Sequence, residues 1–207
     1  MPPTAQPGQS PSIEATPDRS TRDRILDAAV QSLIEQGASR TTTLEVQRRA
    51  QVSRGALLHH FPTHALLLSA TVDDLVRRNE RSVFEMLEKL QNAPDPVERA
   101  IRALALTMAQ PAFMAELELW ALARTDEALR QALRQAERDA RKDSERVLRT
   151  LFAPAADRPG HDAVIAFTTD FLRGFVLSGV LRRNPVRRQQ MISDWVRATQ
   201  ILLDHWT

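Results

Sequence analysis

The 207 residues contain no cysteine, which excludes disulfides, thiolate nucleophiles and thiolate metal ligands, and nothing argues for secretion. No run of apolar residues is long enough to cross a membrane. Lysine occurs only at Lys89 and Lys142, so arginine carries the positive charge. The excess of that charge is small, a formal +2 from 28 basic and 26 acidic side chains. A balance this even argues against indiscriminate coating of nucleic acid, and it permits a local basic patch. Also lacking are a nucleophile motif, a Gly-rich phosphate loop and a dinucleotide fingerprint, so an enzyme is not expected. No stretch alternates polar and apolar residues as a strand would.

Hydrophobic residues make up 43% of the chain, enough for a real core in one large or two small domains. Residues 1–19 repeat Pro, Gln, Ser, Thr and Gly with almost no large apolar side chain, and are expected to form a disordered arm. That stretch lacks the basic start and apolar centre of a signal peptide. Arg19, Arg22 and Arg24 follow where the arm meets the first helix; they suit either a DNA backbone contact or a solvated tail. Residues 21–36 read as a helix with Ile25, Leu26, Ala29, Leu33 and Ile34 on one stripe, capped by Ser20 with Asp23 and ended by Gly37.

The stretch Thr42–Phe61 reads as two short helices around a tight turn. Thr42 and Glu45 have capping-box spacing, Val46 and Ala50 face inward, and Leu44 stands at the helix entry. Val52 fills the corner, and Ser53 caps a second helix whose inner face is Ala56, Leu57 and His60 or Phe61. Pro62 ends it. Two short helices cannot bury their apolar side alone, so the 21–36 helix must pack behind them. Three helices with a tight second corner have the geometry of a DNA-reading helix-turn-helix, although a helical hairpin in a larger bundle has the same local pattern.

On that geometry Arg54, in the first turn of the second motif helix, can reach a guanine edge or a phosphate. Gly55 allows close backbone approach, and Ala56 suits a thymine methyl or the core. His59 lies opposite Leu57 and is a base-edge candidate, whereas His60 suits either DNA or packing. Thr42, Thr43 and Ser53 sit where hydroxyls or backbone N–H groups at helix starts meet phosphate. His59, His60 and His64 lie close in sequence, but Pro62 breaks the helix between the last two. Without cysteine, no metal site is expected, and no cofactor.

The run from Arg24 to Leu68 resembles the N-terminal domain of the TetR family of transcriptional regulators. The resemblance rests on Thr42 and Thr43 before the motif, then Val46, Ala50, Val52, Ser53, Gly55 and Phe61 at ungapped offsets. The family usually has alanine at the position of Gln47 and glycine at that of Gln51, so Gln51 is expected to hold a left-handed backbone at a cost of roughly 1 kcal/mol. Leu58 stands where the family has a phosphate-contacting tyrosine, and His64 where it has a lysine; both departures bear on affinity for DNA.

Beyond Thr63, which caps a long helix from His64 to about Leu90, the chain is helical throughout. Prolines at 94 and 96 break it, Pro111 opens a sixth helix, and Thr125 and Asp126 begin a seventh with a charged outer face. Glu116 and Glu118 on the sixth helix read as solvated carboxylates, with an inward role toward a cationic ligand as the alternative. Residues 153–161 form a loop, and two helices follow over about 162–182 and 186–206, the last capped by Asn184. The expectation is an all-α chain of about nine helices. Its domains are the arm 1–19, a three-helix DNA-binding domain 20–65, and a helical ligand-binding and dimerisation domain 66–207.

The resemblance implies a cytoplasmic homodimeric regulator, most often a repressor, that binds a palindromic double-stranded operator and is released by a small-molecule effector. It implies a dimer interface on the last two helices, assigned here to Phe167, Gly174, Ser178, Met191, Trp195 and Leu202. A ligand pocket within the fourth to eighth helices is assigned to Met108, Phe113, Met114, Leu117, Trp120, Phe171 and Phe175, which would equally serve as core. The alternative class is a helical-bundle binding protein that never meets DNA.

Overall fold

The computed structural model describes residues 20–92, 94–181 and 184–206; the expected arm over 1–19 lies outside them. Nine α-helices run through the described residues, with no strand: α1 (Thr21–Gln36), α2 (Thr43–Ala50), α3 (Arg54–His60), α4 (His64–Lys89), α5 (Pro96–Met108), α6 (Pro111–Ala123), α7 (Glu127–Phe152), α8 (His161–Ser178) and α9 (Pro185–His205). Among these residues no helix is long and apolar enough to cross a membrane.

Local chemistry sets most boundaries. Side-chain oxygens of Ser20, Thr42, Ser53, Thr63, Asp95, Asp126 and Asn184 each accept a backbone N–H of the helix they precede. Proline opens α5, α6 and α9, where its missing N–H would have had no partner. Gly37 ends α1 with φ 81°, a left-handed region glycine enters without strain. The capping box at Thr42 is only half formed. Glu45 N–H donates to Thr42 Oγ1 at 3.2 Å, but the Glu45 carboxylate turns to Arg48 and Arg49, and Thr42 N–H donates to Arg40 O. Charge attraction along α2 outcompetes the return bond. Leu44 is 72% exposed and packs no entry.

Three apolar clusters run from one end of the molecule to the other. The first joins α1, α2 and α3 through Ile25, Leu26, Ala29, Val46, Ala50, Leu57 and Phe61, with Leu67 from α4. Ile34 is outside it and 38% exposed, because one residue past Leu33 turns it about 100° off the stripe; Val30 takes the inward place. The second cluster sets Val30, Leu33 and Ala38 against Leu68, Val72 and Leu75 of α4 and Ala115 and Leu119 of α6. The third fills the body, with Ile101, Phe152, Val164, Leu172 and Leu203 fully enclosed. The second cluster thus packs α1 directly against α4, α6 and α7.

Polar clamps reinforce that junction. Arg78 of α4 bridges Asp27 of α1 at 2.5 Å and Asp74 at 2.7 Å. Glu118 of α6 accepts the backbone N–H of Ala38 at 2.9 Å, just after Gly37. At the opposite end, Gly160 lies against α9: a Cβ there would stand 2.0 Å from Leu202 O, so no other residue fits.

Candidate nucleic-acid interface and interior cavity

At the α2–α3 corner, Gln51 has φ 53° and ψ 47°, the left-handed conformation expected from its place in the turn. Arg24 supports this strained corner by donating to Ala50 O at 2.7 Å and Gln51 O at 3.2 Å. It thereby satisfies carbonyls that α2 leaves open at its end. Arg22 lies over the Phe61 ring at 5.6 Å. Both arginines thus have contacts inside the chain.

Behind α3, Leu57 and Phe61 are buried, and Ala56 and His60 are half-buried rather than fully inward. Ser53, Arg54, Gly55 and His59 are exposed on the outer side, and Leu58 is 39% exposed beside them. His59 and His60 meet edge to face at 5.3 Å. Thr42 is exposed and Thr43 half-buried at the start of α2. His64 Nε2 donates to Thr41 O at 2.6 Å, so this ring ties α4 to the α2 entry.

Charge on this surface is unevenly available. Arg48 pairs with Glu45, and Arg49 with both Glu45 and Glu35. Hydrogen bonds from Arg48 and Arg49 hold the Glu45 carboxyl well below the usual carboxylate range. Arg54 is exposed and forms no ion pair among the described residues.

A cavity of about 80 Å³ lies between α4, α5, α6, α7 and α8. Val76, Val83, Leu104, Met108, Phe113 and Val147 supply its apolar wall, and Asn79, Glu80, Thr107, Glu116, Ser144, Thr169 and Arg173 its polar groups. Of the residues the sequence assigned to a pocket, Met108 and Phe113 line it. Met114 and Leu117 pack on the body core, and Trp120 sits under the Arg173 guanidinium at 4.9 Å. Phe171 and Phe175 do not line it. They lie two positions from Thr169 and Arg173 along α8, roughly 200° around the helix.

Glu116 is only 7% exposed, which overturns its reading as a solvated carboxylate. Its Oε2 accepts from Asn79 at 2.9 Å. Burial pushes its carboxyl up to about 7, with Arg173 and Asn79 pulling it down and Glu137 pushing it further up. Burial also raises Glu80 and Glu137. Glu80 Oε1, Thr107 Oγ1 and Arg173 Nε are buried with no hydrogen-bond partner among the described residues. Glu116 carried a sequence signal, since it and Glu118 are the only charges in an otherwise apolar helix.

On α8 the inward line is Val164, Thr168, Leu172 and Val176. Phe167, Gly174 and Ser178 lie outside it and exposed, as do Leu177 and Leu181. On α9, Ile192, Val196, Thr199 and Leu203 face inward, and Met191, Trp195, Ala198 and Leu202 form a second, half-buried line. Phe171 stacks on Trp195 at 4.7 Å and on Phe175 at 5.7 Å, and Trp195 donates to Thr168 Oγ1 at 3.0 Å. A Cβ on Gly174 would meet nothing within 4 Å, so nothing in this chain requires glycine there.

Residues 25–77 match the family described as bacterial regulatory proteins, tetR family. An uncharacterized HTH-type transcriptional regulator of Mycobacterium tuberculosis is 30% identical over 113 residues, 52% of this chain and 55% of that protein. The HTH-type transcriptional regulator CymR of Pseudomonas putida is 32% identical over 111 residues, 54% of this chain and 55% of its own. The chain thus spans about half the length of the curated relatives it matches. Among solved structures, the multidrug binding protein EbrR complexed with ethidium has the same fold, with a TM-score of 0.63 at 21% identity over 90% of this chain and 100% of that one.

Proposed function

We propose, from the match of residues 25–77 to the tetR family of bacterial regulatory proteins, that this chain is a cytoplasmic, DNA-binding transcriptional repressor of that family that works as a homodimer and releases its operator when a small molecule binds. The observation that carries this reading is α3: a capped helix with an exposed outer side, held on a three-helix head whose left-handed corner is braced by Arg24. Residues 20–65 act as the reading head and 66–207 as the regulatory and dimerising body. Arg54 and His59 address base edges, with Gly55 and Ala56 setting the approach. Thr42, Thr43, Ser53 and His60 address phosphates or their neighbourhood. Leu58 adds no polar group, and His64 acts through its bond to Thr41.

Two heads fit successive major grooves when held roughly 34–36 Å apart, which makes the operator palindromic. The dimer uses the outer line of α8 and α9, including Phe167, Gly174, Ser178, Met191, Trp195 and Leu202. What supports this is a second apolar stripe on α9 and a helical glycine for which the chain itself has no need. The effector occupies the cavity at Met108, Phe113 and Glu116. Its binding reaches the head through α4 and α6, because a ligand acts only by favouring one arrangement of the two heads over another.

Selection of bound fragments from genomic DNA with the full chain tests the proposal. Enrichment of a short inverted repeat is expected. Failure to enrich any double-stranded sequence at moderate salt, from protein that is folded, leaves the alternative of a helical-bundle binding protein without DNA.

A further inference from the structure

We propose, resting on the reading of the interior cavity as the effector site, that its occupant is a compact organic cation with an apolar body and a single ammonium or amidinium group held between Glu116 and Glu80. The cavity brings these carboxylates together from two elements, α6 and α4. Against them stands one cation in the lining, Arg173, whose guanidinium already lies over the Trp120 ring at 4.9 Å. Once Glu116 and Glu80 are ionised the lining is acidic on balance, and an anion entering it would then face two carboxylates for one guanidinium.

The polar groups also have unmet capacity that a donor-bearing ligand fills. Glu80 Oε1 is buried and without a partner. Thr107, only 2% exposed, lines the same space with its Oγ1 likewise unpartnered. Buried acceptors without donors are costly, and an ammonium or amidinium carries enough N–H groups to satisfy both, leaving Arg173 Nε as an unpartnered donor of the lining among the described residues. Val83, Leu104, Met108, Phe113 and Val147 ask for an apolar body, and a volume of about 80 Å³ keeps it small. A neutral occupant of the same shape would satisfy the apolar wall and leave the carboxylates as they are.

The test is calorimetric titration of the full chain with benzylammonium, benzyl alcohol and benzoate, probes of one shape and three charges. Benzylammonium is expected to bind about tenfold more tightly than benzyl alcohol, the ratio of a charged to a neutral hydrogen bond, and benzoate not at all. Glu116→Gln and Glu80→Gln, which keep size and shape, should each erase most of that preference. Met108→Trp, which fills the cavity, should abolish binding of both.

The groups facing Glu116 are Asn79 and Glu80 of α4, Glu137 of α7 and Arg173 of α8. Benzylammonium affinity should rise as pH is raised from about 6 to about 8, because Glu116 then gives up its proton, and this rise should vanish in Glu116→Gln. Benzyl alcohol or benzoate binding as tightly as benzylammonium overturns the cation class and leaves the cavity as the effector site. A cation preference untouched by both glutamine variants overturns the assignment to these carboxylates. Absence of binding by all three probes overturns both the class and the cavity's role.

Discussion

Arg54 projects from the first turn of α3 into solvent, while Arg48 and Arg49, one helix earlier, are held by Glu45 and Glu35. Removing a group that reads a base costs about 1–3 kcal/mol of binding, so Arg54→Ala should weaken a selected operator by that amount in a gel-shift titration. An unchanged affinity would take base reading away from Arg54. Glu116 makes a prediction about stability instead. Its carboxyl is raised from 4.5 to about 7 in the folded chain, so the fold binds its proton more tightly than the unfolded chain does. The stability this brings is complete below about pH 4.5 and is lost as pH climbs through about 7, a loss on the order of a few kcal/mol. Glu116→Gln keeps the hydrogen-bonding shape without the titration. Melting temperatures of the two proteins should therefore diverge in favour of the variant as pH rises from 5 toward 8. Parallel curves would show that this carboxyl does not titrate in that window.

At the scale of elements, caps were legible because they are local. Ser20, Thr42, Ser53, Thr63 and Asn184 each act within three residues of themselves, and sequence spacing specifies that reach. The left-handed corner at Gln51 was legible through the family resemblance, which places glycine at that position. Its brace was not, since Arg24 lies 26 positions away from Ala50 and nothing local links them. Arg24→Ala should leave α2 with unpartnered C-terminal carbonyls and lower stability by about 1–2 kcal/mol, with faster amide exchange concentrated in α2 and α3. Uniform exchange across the chain would argue that Arg24 does not brace the corner. Helices α6 and α8 were legible as helices but not as faces. In α6 nearly every position is apolar, so period alone cannot say that Ala115, Leu119 and Ala123 meet the N-terminal helices while Phe113 and Glu116 meet the cavity. In α8 the large phenylalanines suggest an inward line, whereas Val164, Thr168, Leu172 and Val176 take it.

For the whole molecule, the weightiest consequence of the α8 geometry is where Gly174 stands. It is exposed, mid-helix, and free of any neighbour a Cβ would disturb. Gly174→Arg should therefore keep or raise the stability of the separate chain, since glycine costs a helix interior about 1 kcal/mol relative to alanine. In the proposed dimer the same substitution places a long charged side chain where the partner's helices pack. Sedimentation should then show monomers for Gly174→Arg and dimers for the unaltered protein. A variant that still sediments as a dimer would move the interface off this face. The proposed coupling between cavity and head belongs to the same scale: Glu118 grips the turn after α1 while Glu116, two residues earlier on α6, lines the cavity.

The sequence by itself determined the helices, most of their caps and the helix-turn-helix spacing, because each depends on groups a few positions apart; the left-handed corner came with the family resemblance. Only the tertiary structure decided which apolar face turned inward on α6 and α8, that Arg24 belongs to the corner, and that Glu116 and Glu80 share one acidic cavity with Arg173. Those outcomes depend on helices distant in the chain meeting in space. A side chain's burial, charge state and partners follow from what is packed against it, and periodicity within one helix carries no record of that.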